Sequence, residues 1–187
     1  MRLFPQTYAF LDLLERHYGI AIERVRPDAA SVATMVAEHG EHLFFDAPEK
    51  QELCCRVRKV LPNEAVLGTL DVWITGLRAD QSRARAGTER FSWIPRPGGA
   101  HESRILKVAP LADWTEERLQ AYARANGVPV HPLLSWRQDG WRYESLGCVI
   151  CTTPIGPHEP RRAGRWRWFQ GGDKECGLHR PPGEAHG

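Results

Sequence analysis

Leu70-Asp71-Val72-Trp73-Ile74-Thr75-Gly76 reads as a strand stopped by a glycine, and the fold follows from what flanks it. β-Branched and aromatic residues dominate the run, which predicts a buried strand. Arg104-Ile105-Leu106-Lys107-Val108 repeats the signature. Between them, residues 78–99 are polar, arginine-rich and punctuated by glycine. That composition predicts a long surface loop with one short extended piece at Phe91 to Ile94. Upstream, Tyr8, Leu11, Leu14 and Tyr18 recur at helical spacing between Pro5 and Gly19. A short strand from Ile20 to Val25 is expected next, then helices over 28–39, 49–60 and 63–68. Thr115-Glu116-Glu117 opens a helix that runs to Asn126-Gly127. After Pro129 the chain reads as loop-rich, with a frayed tail from Arg180. Strands alternating with helices predict an α/β fold, and no repeat or linker divides 1–187, so one domain is expected.

Composition narrows the function classes. The chain has 187 residues, 42% of them hydrophobic, and no apolar run approaches the roughly 18 residues of a membrane span. Met1-Arg2-Leu3-Phe4-Pro5-Gln6 lacks the apolar core of a secretory signal. Five cysteines, an odd number, then point to thiols or metal ligands in a cytoplasmic protein, not to a disulfide framework. A net charge of +2 is too small for bulk attraction to nucleic acid or membrane.

The cysteines divide four to one. Cys54-Cys55 and Cys148-x-x-Cys151 form a soft-ligand quartet, and Cys176 stands apart in Lys174-Glu175-Cys176-Gly177-Leu178-His179. A single cysteine is most often a small buried hydrophobe, but this pattern points to zinc or an iron–sulfur cluster. A tetrahedral zinc with Zn–S near 2.3 Å needs its sulfurs about 3.8 Å apart. Neighbouring helical residues project about 100° apart, which suits the wider spacing of a cluster better. Cys176 lies among Lys174, His179 and Arg180, cations that favour a nucleophilic thiolate. Gly177 beside it permits close approach of the backbone to a ligand.

Two cationic groups stand near this chemistry. Arg161-Arg162-Ala163-Gly164-Arg165-Trp166-Arg167-Trp168 reads either as an anion grip or as an aromatic-interleaved basic patch for nucleic acid. Its place between Cys151 and Cys176 favours a small anionic substrate. Arg78, Gln81, Ser82 and Arg85 follow the first strand, on the side of an α/β sheet where ligands bind.

Taken together, the residues resemble the assimilatory adenylyl-sulfate reductases, the iron–sulfur branch of the phosphoadenylyl-sulfate reductase family. The likeness runs through Leu3-Phe4-Pro5-Gln6-Thr7-Tyr8, Cys54-Cys55-Arg56-Val57-Arg58-Lys59 and Trp73-Ile74-Thr75-Gly76-Leu77-Arg78. It continues in Asp80-Gln81-Ser82, Gly147-Cys148-Val149-Ile150-Cys151-Thr152, Glu159, Arg162, Gly164-Arg165-Trp166 and the Glu175-Cys176-Gly177-Leu178-His179 run. It implies a [4Fe-4S] cluster on Cys54, Cys55, Cys148 and Cys151, and a nucleophile at Cys176. It implies that Lys59, Arg85, Arg162, Arg165 and His179 hold adenylyl sulfate, or its 3′-phosphorylated form. Sulfite and AMP would be the products, in sulfate assimilation and cysteine biosynthesis in the cytoplasm. Thioredoxin or glutaredoxin would be the reductant, a homo-oligomer is compatible, and neither nucleic acid nor membrane is a partner.

The implied fold is an incomplete, Rossmann-like sheet of the adenine-nucleotide alpha-hydrolase kind, with a catalytic segment over about 152–187. It is incomplete because no glycine-rich Ser-Gly-Gly-Lys-Asp-Ser-like phosphate loop occurs in the sequence. That departure implies a start further upstream, a chain shortened at its N-terminus or a degenerate copy; residues 1–187 alone would then have an uncovered apolar sheet face and a tendency to associate. Thr153 is a smaller departure, standing where relatives often carry arginine. The rival readings are a non-catalytic, truncated paralogue holding iron–sulfur or zinc, and a nucleic-acid module built on the Arg/Trp segment.

Overall fold

The structure, a computed structural model, describes residues 2–169. They fall into two compact units, one made of 2–24 with 119–169 and the other of 25–118. Among the described residues, no helix is long and apolar enough to cross a membrane.

In the first unit, α1 spans Pro5–Tyr18. Proline at its first position supplies a helical φ without needing a partner for a missing N–H, and Gly19 closes it at φ 63°. Ile20 to Val25, expected as a strand, forms none. The chain is instead held along α1: the Ile22 N–H donates to Glu15 Oε1 at 2.9 Å, and Arg24 donates to Asp12 and Glu15 at 2.6 and 3.0 Å. Side-chain partners thus satisfy a segment that has no neighbouring strand.

The stretch after Pro129 carries more structure than its composition suggests. A one-turn helix, Pro132–Ser135, leads into a two-stranded hairpin of Arg137–Gln138 and Trp141–Arg142. Asp139 and Gly140 turn it with φ of 49° and 82°, the two positive values that tight hairpins favour. Arg142 then bridges to buried Ile155, and Thr152 to Arg165, so two isolated backbone bridges pin the segment after Cys151.

The second unit begins with α2 at Ala29–His39, whose N-cap Asp28 accepts the Ser31 N–H at 2.6 Å. α3 at Pro48–Cys55 is followed without a break by a π-helical turn, Arg56–Val60, and then α4 at Leu61–Leu67. Pro62 offers no N–H to the ordinary ladder, and the Leu61 N–H bonds Arg56 O instead.

Three strands follow: β1 at Val72–Ile74, β2 at Phe91–Pro95 and β3 at Arg104–Val108. Their order is β1-β3-β2, with β1 parallel and β2 antiparallel to β3. The register makes two cross-strand rows on one face, Val72/Leu106/Trp93 and Ile74/Val108/Phe91. This corrects the expectation of a buried first strand. Val72, Ile74, Phe91 and Trp93 are 48–70% exposed, so among the described residues this face of the sheet is left largely open. The unit's buried centre lies elsewhere, at fully enclosed Ile105 and in the cluster of Leu77, Ala109 and Ala112. α5, Glu116–Ala125, then carries the chain into the first unit, capped by Thr115 Oγ1, which accepts the Arg118 N–H.

Candidate functional site

In the second unit, the first cysteine pair ends α3. Cys54 is 5% exposed and Cys55 half-buried, both outside any disulfide. Gln51, one turn earlier, shares the buried face with Cys54. Lys59 falls in the π-helical turn. Arg85 sits in a 3₁₀ turn after β1 and donates through Nη1 to Gln81 Oε1.

Arg78, grouped with these by sequence, has a different task. Buried, it donates through Nε to Asp80 at 2.8 Å and through Nη2 to Glu116 at 2.5 Å. Asp80 in turn accepts the Glu116 N–H, so Arg78 ties the turn to the start of α5.

Lys107 was not anticipated. It lies half-buried in β3 with Nζ 5.3 Å from the centre of the Trp73 ring, its register partner on β1. Burial, then the nearby Arg85 charge, push its pKa down. The available signal was a lysine, one of four in the chain, inside an apolar strand.

In the first unit, Cys148 and Cys151 bracket a 3₁₀ turn closed by the Cys151 N–H donating to Cys148 O at 3.0 Å. Cys151 is buried and Cys148 half-buried. The arginines that follow do not act as one patch. Arg167 pairs with Glu159 at 2.5 and 2.9 Å and also donates to Thr153 Oγ1 and Pro154 O. Glu159 accepts the Gly156 N–H as well; Arg167 first, then this bond, hold its pKa at about 2. Thr153 thus serves as an acceptor for Arg167. Arg161 pairs with Glu144 at 3.4 Å.

Arg165 is different. Its Nη1 donates to Leu146 O at 2.9 Å and Ser145 Oγ at 3.3 Å, while buried Nε has no partner among the described residues. Arg162, half-buried, starts the turn in which the Arg165 N–H donates to Arg162 O. Two glycines make room here. A Cβ at Gly147 would run into the Arg165 guanidinium, and one at Gly164 would strike Thr153 O. Trp166 is buried with φ 52°, so it offers no stacking platform for a base. Cys176 and His179 lie outside the described residues.

Cys54 and Cys55 thus lie in the second unit and Cys148 and Cys151 in the first, and among the described residues no group of three or more His, Cys, Asp or Glu side chains forms a metal-ion site. The donor chemistry nevertheless fits a sulfur-bridged cluster. Gln51 Nε2, Thr152 Oγ1 and Trp166 Nε1 are buried donors with no hydrogen-bond partner among the described residues. Each stands near a cysteine: Gln51 three residues before Cys54, Thr152 next to Cys151, and Trp166 donating its backbone N–H to Cys151 O at 3.3 Å. Cluster sulfurs are acceptors of the kind such donors lack.

Comparison with known proteins places these features. Residues 1–154 match the phosphoadenosine phosphosulfate reductase domain. A curated protein named adenosine 5'-phosphosulfate reductase from Rhizobium tropici is 42% identical over 178 residues, covering 95% of this chain and 93% of that protein. The Rhizobium meliloti protein of the same name is also 42% identical, over 96% of this chain and 64% of its own length. A rice protein named probable 5'-adenylylsulfate reductase 1, chloroplastic, is 39% identical and is spanned over 37% of its length. The crystal structure of phosphoadenylyl-sulfate reductase from Candida auris, a phosphate complex, superposes with a TM-score of 0.59 at 24% identity. It covers 81% of this chain and 67% of that one, a likeness of fold. With most of its length inside the family match and 40–42% identity to bacterial members, the chain belongs to the phosphoadenosine phosphosulfate reductase family, on its adenylyl-sulfate reductase side.

Proposed function

We propose that this chain carries the cluster-binding and catalytic parts of an adenylyl-sulfate reductase. The observation that carries the reading is 42% identity over 95% of the chain to a protein named for that activity. In the proposed reaction the Cys176 thiolate attacks the sulfur of adenylyl sulfate. The bond from that sulfur to the bridging oxygen breaks, and AMP leaves with the electron pair. This gives an S-sulfonated Cys176. A thiolate of a thioredoxin-type dithiol, thioredoxin or glutaredoxin, then attacks Cys176 Sγ and expels sulfite. Its second thiol resolves the mixed disulfide, so the dithiol supplies both electrons and restores the Cys176 thiol.

The roles of the cations follow from charge. Lys59, Arg85, Arg162, Arg165 and His179 would hold the phosphosulfate and stabilise the charge that grows on the leaving phosphate. Arg165 is suited to this because it is anchored through Nη1 yet keeps a buried Nε–H without a partner. A site built to donate to oxyanions leaves such donors waiting.

Cys54, Cys55, Cys148 and Cys151 would hold a [4Fe-4S] cluster. When bound, it would fix the thiolates and shape the electrostatics around Lys59. Adenylyl sulfate is the proposed substrate, with the 3′-phosphorylated form as the competitor to be measured beside it.

The test is turnover of sulfur-labelled adenylyl sulfate with a thioredoxin-type reductant. Sulfite and AMP released in equal amounts support the reading. AMP without sulfite, or neither product, refutes it.

A further inference from the structure

We infer that Gln51 and Thr152 are hydrogen-bond donors to sulfur, one serving each cysteine pair; the inference rests on the cluster reading above. Both side chains are more than nine-tenths buried, Gln51 at 4% and Thr152 at 5% exposure. Gln51 Nε2 and Thr152 Oγ1 are shut off from solvent and have no hydrogen-bond partner among the described residues. A buried polar group without a partner is costly, and an apolar residue of similar size would pack there without that loss. Their burial therefore points to an acceptor that belongs to the working protein.

The local chemistry says what it is. Gln51 precedes Cys54 by three residues and Cys55 by four, so the helix places it on the face shared with the pair. Thr152 follows Cys151 directly, in extended backbone pinned by its bridge to Arg165. The two surroundings differ, one a helix end and the other a loop after a 3₁₀ turn, and each holds a cysteine pair. Thiolate and inorganic sulfide are weak but genuine acceptors, and donors to them lower the electron density on sulfur. That strengthens retention of a cluster and shifts its electronic properties.

The experiment uses the full chain, purified without oxygen, comparing the parent with Gln51→Met, Thr152→Val and the hydroxyl-retaining Thr152→Ser. Iron and sulfide are quantified first, because a parent without them sinks the cluster reading and this inference with it. With the cluster loaded, resonance Raman reads the iron–thiolate stretching bands in H2O and in D2O. Gln51→Met and Thr152→Val should raise those frequencies and diminish their D2O shift, while Thr152→Ser keeps the parent spectrum. Chelator-driven iron loss should quicken by about tenfold in the first two variants, the lower end of what outer-shell partners contribute. A parent-like Raman spectrum and parent-like D2O shift in loaded Gln51→Met and Thr152→Val would overturn the inference and leave the cluster reading standing. If Gln51→Met does not fold, the Thr152→Val and Thr152→Ser pair decides the matter.

Discussion

Gly164→Ala isolates how the segment after the second cysteine pair is held. The added Cβ would meet Thr153 O, a backbone atom that cannot swing aside, and would crowd Ile155. Gly164 does not lie in the left-handed region, so the effect is one of space alone. Relief requires the two backbones to part. That breaks the 2.9 Å bond from the Thr153 N–H to Gly164 O and strains the Thr152–Arg165 bridge. Overpacking costs about 1–3 kcal/mol and the lost bond about 1 kcal/mol more. The sum, about 2–4 kcal/mol, corresponds to a fall in melting temperature of roughly 5–15 °C for a chain of this size.

Gly147→Ala is the control. Its obstacle is the far end of the Arg165 side chain, which can move, so stability should fall less while anion binding suffers. Thermal unfolding by circular dichroism and adenylyl sulfate binding by calorimetry read the two effects. A Gly164→Ala protein that melts within about 1 °C of the parent would refute the close-packing argument, since overpacking alone should exceed that shift.

Cys176→Ser should retain its iron yet lose sulfite release, because serine lacks the acidic, nucleophilic sulfur; retained release would move the nucleophile elsewhere. His131 accepts the Leu133 N–H at Nδ1 and bonds Thr7 Oγ1 through Nε2, and burial holds its pKa below 6.5. The unfolded chain then takes up the proton first, so stability should be full above pH 6.5 and fall as pH drops below it. Melting curves of His131→Gln should be flatter across that window. Glu159, at about 2, adds stability above 4.5 that is lost as pH falls toward 2, and Glu159→Gln should remove that acid dependence. Trp93→Lys combined with Ile74→Lys should reduce self-association in sedimentation experiments, since both residues lie on the exposed apolar face.

Features set by local chemistry were legible in the sequence. Proline at the start and glycine at the end marked α1, and the strands over 72–74, 91–95 and 104–108 stood where β-branched and aromatic residues cluster. What escaped depends on distant partners. Val72 and Ile74 read as core because a strand's composition does not say whether its face is covered. Ile20 to Val25 has strand-like residues but no strand beside it, so Arg24 fastens it to α1.

The same holds for the candidate site. The cysteine spacing narrows the chemistry to zinc or an iron–sulfur cluster, and only the family resemblance chooses between them, whereas the arginines look alike until their carboxylates are located. Arg167 proves bound to Glu159, Arg161 to Glu144 and Arg78 to Asp80 and Glu116, leaving Arg165 with the orphaned N–H. Gln51 and Thr152 carry no motif; only their burial without an acceptor draws them out.

In the proposed reaction a sulfonated Cys176 forms before any electron is supplied. Mass spectrometry of the anaerobic full chain, mixed with adenylyl sulfate and no thiol reductant, tests it directly. The account expects one sulfonate on Cys176 and one AMP released per chain, discharged as sulfite when a dithiol is added. AMP released with Cys176 unmodified, or a sulfonate on another cysteine, would contradict it.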